Sequence, residues 1–309
     1  MGVDMDLAQA EAATASGYDR AFLNSMLDQF LQAVIANEPS LAPLWIGFRE
    51  TVNSVVTPAG EGVWQTATAF DADNRRFFDP QGGSAALLGL MYEGEERAIV
   101  SLRLCIKEDR IAEAEWHVGR RNDPSPQGFP GQLELYDPEG MVQRMPATRV
   151  IAQTERVSRA ALVAIANSYF DGLSSQNPRA VIAHCGCTRT ENGLNVTTGP
   201  IKKVAGKPGF IGVEDCMAGY EQLGIVLVQA RRFPLVDEEQ QVVLGSGVFI
   251  RQPGLNKRRL HFMEYFYIDH QRLRHTEAAL FYVDPAQPVP NWPPYDGNFP
   301  LSLPTYLPL

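Results

Sequence analysis

Thr188-Arg189-Thr190-Glu191-Asn192 places a guanidinium and a carboxylate two residues apart. Side chains alternate along a strand, so Arg189 and Glu191 are expected on one face. That pairing suits acid–base catalysis, with Glu191 carrying a proton while Arg189 orients it or binds a substrate oxygen. The competing reading is a structural ion pair. Asn192 can bond the same substrate oxygen, although Asn192-Gly193 is also a frequent turn pair. Further on, RRLHFMEYFYI (Arg258 to Ile268) sets His261, Met263, Tyr265 and Tyr267 on one strand face and Phe262, Glu264 and Phe266 on the other. The expectation favours His261 and Tyr265 as catalytic groups, because Glu264 among phenylalanines would need a buried partner such as an arginine. Near the end of a helical stretch lie Tyr169, a candidate for substrate binding, and Asp171, a candidate for catalysis or a solvated capping residue.

The cysteines point elsewhere. Cys185-Gly186-Cys187 lacks the second paired motif of a zinc site, and with Cys105 and Cys216 these residues are expected to be reduced thiols. No metal and no cofactor is expected. The glycine-rich pieces Gln81-Gly82-Gly83-Ser84 and Gly245-Ser246-Gly247 lack the spacing of a phosphate loop, and no nucleophile elbow or H-E-x-x-H is present.

An internal repeat must position these residues. Asp19 to Trp45 and Val157 to His184 both show apolar residues at helical spacing, a stop at Asn37-Glu38-Pro39 or Asn177-Pro178, and a short second helix. Aligned, Phe30 falls opposite Tyr169 and Gln32 opposite Asp171. Each pair precedes a strand, Phe48 to Asn53 or Thr188 to Asn192. Later, Ser101 to Val118 matches Met263 to Leu280, with Glu115 opposite Glu277 and Arg103 opposite Tyr265. The order predicts an α+β chain of two domains, 19–121 and 157–283, joined near Asn122 to Gln132. Residues 284–309, rich in proline, are expected to form a tail lying on a surface.

Tyr169-Phe170-Asp171 in the helix, with the doubled helix-then-sheet order, resembles the nuclear-transport-factor-like (SnoaL-like) superfamily. A tighter similarity is to two-domain SnoaL-like proteins. It rests on Arg49-Glu50-Thr51-Val52-Asn53, Gly60-Glu61-Gly62-Val63-Trp64 and Arg110-Ile111-Ala112-Glu113-Ala114-Glu115 in the first copy. In the second it rests on Arg189-Thr190-Glu191-Asn192-Gly193 and Val236-Asp237-Glu238-Glu239. The resemblance implies two tandem cones, each a curved antiparallel sheet wrapped on helices. It also implies acid–base chemistry in an apolar cavity, and sheet faces that commonly pair, so a homo-oligomer is expected. Among two-domain members it extends to a lignin diarylpropane lyase, which implies deformylation of a 1,2-diarylpropane-1,3-diol to a stilbene with release of formaldehyde.

The first copy replaces Tyr169 by Phe30 and Asp171 by Gln32, and carries Val52 where the family usually has Glu. Arg103, Trp116 and His117 are its candidates for substrate binding, with a packed tryptophan beside a surface histidine as the alternative. The second copy is therefore expected to be the active one.

A net charge of −9 over 309 residues, without a run of basic residues, excludes a nucleic-acid surface and an anionic membrane as main partners. The first residues lack a basic segment followed by an apolar one, so a soluble, cytoplasmic protein is expected. The expected activity is that of a cofactor-independent lyase, dehydratase or isomerase acting on a small, largely apolar aromatic alcohol. The alternative is a binding or scaffold module without turnover.

Overall fold

The computed structural model describes residues 17–124, 135–143, 146, 149–197, 215–252 and 259–283. The first half contains α1 (Arg20–Ala36), a 3-10 turn (Pro39–Leu41), β1 (Leu44–Val52), β2 (Val55–Val56), α2 (Val63–Thr66), β3 (Ala69–Phe70), β4 (Arg75–Asp79), β5 (Ser84–Glu93), β6 (Glu96–Lys107) and β7 (Arg110–Gly119). A short helix, α3 (Pro138–Gln143), lies in the connection. The second half contains α4 (Arg159–Ser175), a 3-10 turn (Pro178–Ala180), β8 (Ala183–Glu191), β9 (Leu194–Asn195), α5 (Tyr220–Leu223), β10 (Ile225–Asp237), β11 (Val242–Arg251), β12 (Arg259–Asp269) and β13 (Arg272–Val283).

The two long helices start and stop by the same local chemistry. The side chain of Asp19 caps α1 by accepting from the Phe22 amide, and Ser158 caps α4 by accepting from the Ala161 amide. Each helix ends on a left-handed residue, Asn37 or Gln176, whose amide bonds back into the last turn, and a proline follows within two residues. What the spacing suggests as a second helix is in each copy a single 3-10 turn.

The chain is α+β, with one sheet per half. The first has seven strands in the order β2-β1-β7-β6-β5-β3, with β4 also on β5; the second has six, β10-β11-β12-β13-β8-β9. Neither is wholly antiparallel as expected: β1 joins β7 in parallel, and β8 joins β13 in parallel. The register makes the repeat explicit. Trp116 lies opposite Val52 and Leu102, and Ala278 lies opposite Glu191 and Glu264. Residues Glu50, Val52, Leu102 and Trp116 of the first half therefore correspond to Arg189, Glu191, Glu264 and Ala278 of the second.

Each helix packs an apolar core on one face of its sheet, around Leu27, Phe30 and Trp116 in the first half and around Tyr169, Phe170 and Phe266 in the second. A third core joins the other faces of the two sheets, with Phe77, Leu88 and Ile99 meeting Leu244, Met263 and Tyr265. The halves meet in an isologous manner. Asp237 accepts from Arg20 (2.7 Å) and the Phe78 amide (2.9 Å), while Asp79 accepts from Arg159 (2.6 Å) and the Val236 amide (2.9 Å). Each helix start thus reaches across to the partner half, as in a two-fold dimer fused into one chain.

Candidate active site

The second half contains a cavity of about 50 Å³, room for several water-sized groups. Its walls are largely apolar, including Phe249, Phe262 and Tyr282, and into them are set Tyr169, Arg189, Glu191, Arg251 and Glu264. Three elements converge here. Helix α4 supplies Tyr169, β8 supplies Arg189 and Glu191 from one face, and β12 supplies Glu264. Between the two carboxylate-bearing strands runs β13, where the small side chain of Ala278 leaves the gap.

Arg189 is 2% exposed; its Nε lies 3.1 Å from Glu191 and its terminal nitrogen donates to the Tyr169 hydroxyl at 3.1 Å. Burial raises the Tyr169 hydroxyl well above its usual range, so it stays a proton donor. Glu264 is 3% exposed, and burial pushes its carboxyl from 4.5 up to about 8, with Thr276 and Arg189 pulling it partly back and the Glu191 charge adding to the rise. At neutral pH the cavity therefore presents the protonated carboxyl of Glu264 and the tyrosine hydroxyl, with Glu191 held beside the Arg189 guanidinium. Two carboxyls in unlike surroundings, one buried among apolar groups and one beside a guanidinium, make an arrangement that paired acid and base chemistry can use.

A protein family described as "Domain of unknown function (DUF8021)" matches residues 155–280. No curated protein matches the chain. The matched segment runs from the start of α4 almost to the end of β13 and contains Tyr169, Arg189, Glu191, Arg251 and Glu264.

Several residues singled out from the sequence lie elsewhere. The favoured face of β12 does not line this cavity: His261 and Tyr265 look away from it into the contact between the sheets. There His261 shares a 2.7 Å hydrogen bond with Ser54, and Tyr265 shares one of 2.7 Å with Ser101. Asp171 is on the helix surface, ion-paired with Arg231 at 2.5 Å. Asn192 is fully buried and clamps the Leu280 backbone, its amide nitrogen donating to the carbonyl (2.9 Å) and its oxygen accepting from the amide (3.0 Å). Asn53 holds Val118 in the same way in the first half. Gly193, at φ 81°, is required by packing, because a Cβ there would lie 1.9 Å from the Asp137 carbonyl oxygen.

The candidates of the first half divide between two layers. Arg103 and His117 lie between the sheets: Arg103 bonds Glu113 (2.7 Å), Glu115 accepts from Arg232 of the other half (2.6 Å), and His117 packs edge-on against Phe281. Burial holds His117 down at about 4 and His261 at about 3, so both are neutral. Trp116 faces the first core, where it packs against Phe30 and Phe70. With Trp64 it donates an indole N–H to Glu50, at 2.5 and 2.8 Å, and burial raises that carboxyl to about 7. Position for position, a tryptophan stands in the first half where Ala278 opens the cavity in the second.

Sequence reasoning set Glu264 aside and missed Glu50 and Arg251. Glu264 does face the arginine that its burial demands, but Arg189 lies 75 residues earlier and two strands away. The thiol expectation also needs correction: Cys187 and Cys216 form a disulfide, while Cys105 and Cys185 are free. The register of β8 against β13 shifts just before Thr188, and Gly186 takes φ 74°, so Cys185 turns outward and Cys187 inward to meet Cys216 ahead of α5. The tail 284–309 lies outside the described residues. Among the described residues no helix is long and apolar enough to cross a membrane.

Proposed function

We propose that the second domain is a cofactor-independent lyase or dehydratase of the nuclear-transport-factor-like (SnoaL-like) kind, acting by general acid–base catalysis on a small aromatic alcohol. The observation that carries this reading is the pair Glu264 and Glu191 on one apolar cavity, the first held protonated by burial and the second paired with Arg189. In a dehydration Glu264 gives its proton to the leaving hydroxyl as the C–O bond breaks and water departs. Glu191 takes the proton from the adjacent carbon, and the C–H electron pair becomes the new double bond. Exchange with water returns both carboxyls to their starting states. Tyr169 donates to a substrate oxygen, and Arg189 positions both Tyr169 and Glu191.

Deformylation of a 1,2-diarylpropane-1,3-diol uses the same first step: the protonated benzylic hydroxyl leaves as water and the phenol gives up its proton, forming a quinone methide. Glu191 then takes the proton of the primary hydroxyl, the C–C bond breaks to release formaldehyde, and its electron pair forms the stilbene double bond as the phenol oxygen regains a proton. The first domain acts as a scaffold, its equivalent space filled by Trp116.

The test is a panel of aromatic alcohols and phenolic diols, followed by ultraviolet absorbance of the new double bond and by formaldehyde release. Glu264→Gln and Glu191→Gln should each lower turnover by about 100-fold or more, while His261→Ala, altered between the sheets, should keep it. Full activity in both glutamine variants sinks the assignment of the site. No turnover across the panel favours instead a binding module without catalysis.

A further inference from the structure

The charges facing the cavity do not cancel. Arg189 and Glu191 neutralise each other across 3.1 Å, and Glu264, set among Phe262 and its neighbours, is held uncharged. Arg251, the last residue of β11, remains. Its terminal nitrogen donates to the Leu223 carbonyl, and its Nε is buried without a hydrogen-bond partner. Among the described residues no carboxylate lies within ion-pair distance of it. A guanidinium is always charged, and a buried N–H left without an acceptor costs about 1–3 kcal/mol. An apolar cavity carrying one uncompensated cation is complementary to a monoanion, and a guanidinium fork matches a carboxylate in shape as well as charge.

We propose that the cavity recognises a small aromatic hydroxy acid, its carboxylate held by Arg251 and its ring against Phe249, Phe262 and Tyr282. Placement of the hydroxyl between Glu264 and Glu191 rests on the acid–base reading above; recognition of the carboxylate by Arg251 does not. Arg251 is thereby a specificity residue, distinct from the proton-transferring pair.

The experiment is calorimetric titration of the whole chain with 3-hydroxy-3-phenylpropanoate and with its uncharged amide, in wild type, Arg251→Gln and Arg251→Lys. Charge-assisted hydrogen bonds are worth about 1.5–3 kcal/mol, so the wild type should bind the acid at least about tenfold tighter than the amide. Arg251→Gln should lose that preference while still binding the amide, and Arg251→Lys should keep part of it. Equal binding of acid and amide by wild type, binding of neither, or a preference that survives in Arg251→Gln each overturns the proposal. Should Arg251→Gln fail to fold, the wild-type comparison and Arg251→Lys still decide. An Arg251-dependent preference without turnover of any panel compound keeps this inference and removes the acid–base reading. Turnover of neutral alcohols that needs Glu191 and Glu264, with no preference for acids, does the reverse.

Discussion

Glu264 ties the chemistry of the site to the stability of the fold. Burial raises its carboxyl from 4.5 to about 8, so the folded chain keeps a proton that the unfolded chain gives up above pH 4.5. Its contribution to stability is complete below pH 4.5 and is lost as pH climbs toward 8, at up to about 1.4 kcal/mol per pH unit. Glu264→Gln should therefore flatten the fall in unfolding free energy across that window, which urea denaturation at stepped pH would detect. In the active protein kcat/KM should drop above about pH 8 as the acid loses its proton. The buried histidines run the other way. His117 and His261 are lowered from 6.5 to about 4 and about 3, so their contribution is complete above pH 6.5 and fades as pH falls through those values.

Strands β7 and β13 carry the difference between the halves in one side chain each. Trp116→Ala should open a cavity beside Glu50 and cost about 3–5 kcal/mol of stability by denaturant titration. Ala278→Phe should fill the cavity of the second half and abolish ligand binding in calorimetry, with a cost of about 1–3 kcal/mol from overpacking. Beside β8, the Cys187–Cys216 bridge spans 29 residues and fastens the chain entering α5, whose Leu223 forms part of the cavity wall. Replacing both cysteines by alanine should cost about 2–4 kcal/mol, read as a lower urea midpoint that matches the reduced wild type.

The sheet faces of the two halves cover each other in a shared buried core. Asp79 and Asp237 are 1% and 0% exposed, and each accepts from an arginine and a backbone amide of its partner half. Removing one partner of a buried charge pair strands the other, so Asp79→Ala and Asp237→Ala should each cost about 3–5 kcal/mol. The near two-fold arrangement makes the two losses similar, which equilibrium unfolding of both variants would check. Several buried acidic residues lie at or beside this contact. Asp237 anchors α1, Glu115 binds Arg232, and Glu113 binds Arg103. Arg189 and Glu191, by contrast, face the cavity, while the neighbouring Asn192 and Gly193 hold backbone.

Local pattern was enough for the repeat, the two long helices, the α+β order and the placing of Arg189 and Glu191 on one face, because each depends on residues close in the chain. The choice between the faces of β12 was not legible. That strand lies between its own helix on one side and the other sheet on the other, so both faces are buried and apolar and no amphipathic signal separates them. The partner of Cys187 is set by a residue 29 positions away that meets it only when β8 bends. The cavity itself arises from register, since Ala278 opens a gap only because the parallel joining of β8 to β13 brings Glu191 beside it and β12 brings Glu264 to its other side. Periodicity along a chain reports which residues share a face; only the packing of sheet against sheet decides which face looks inward.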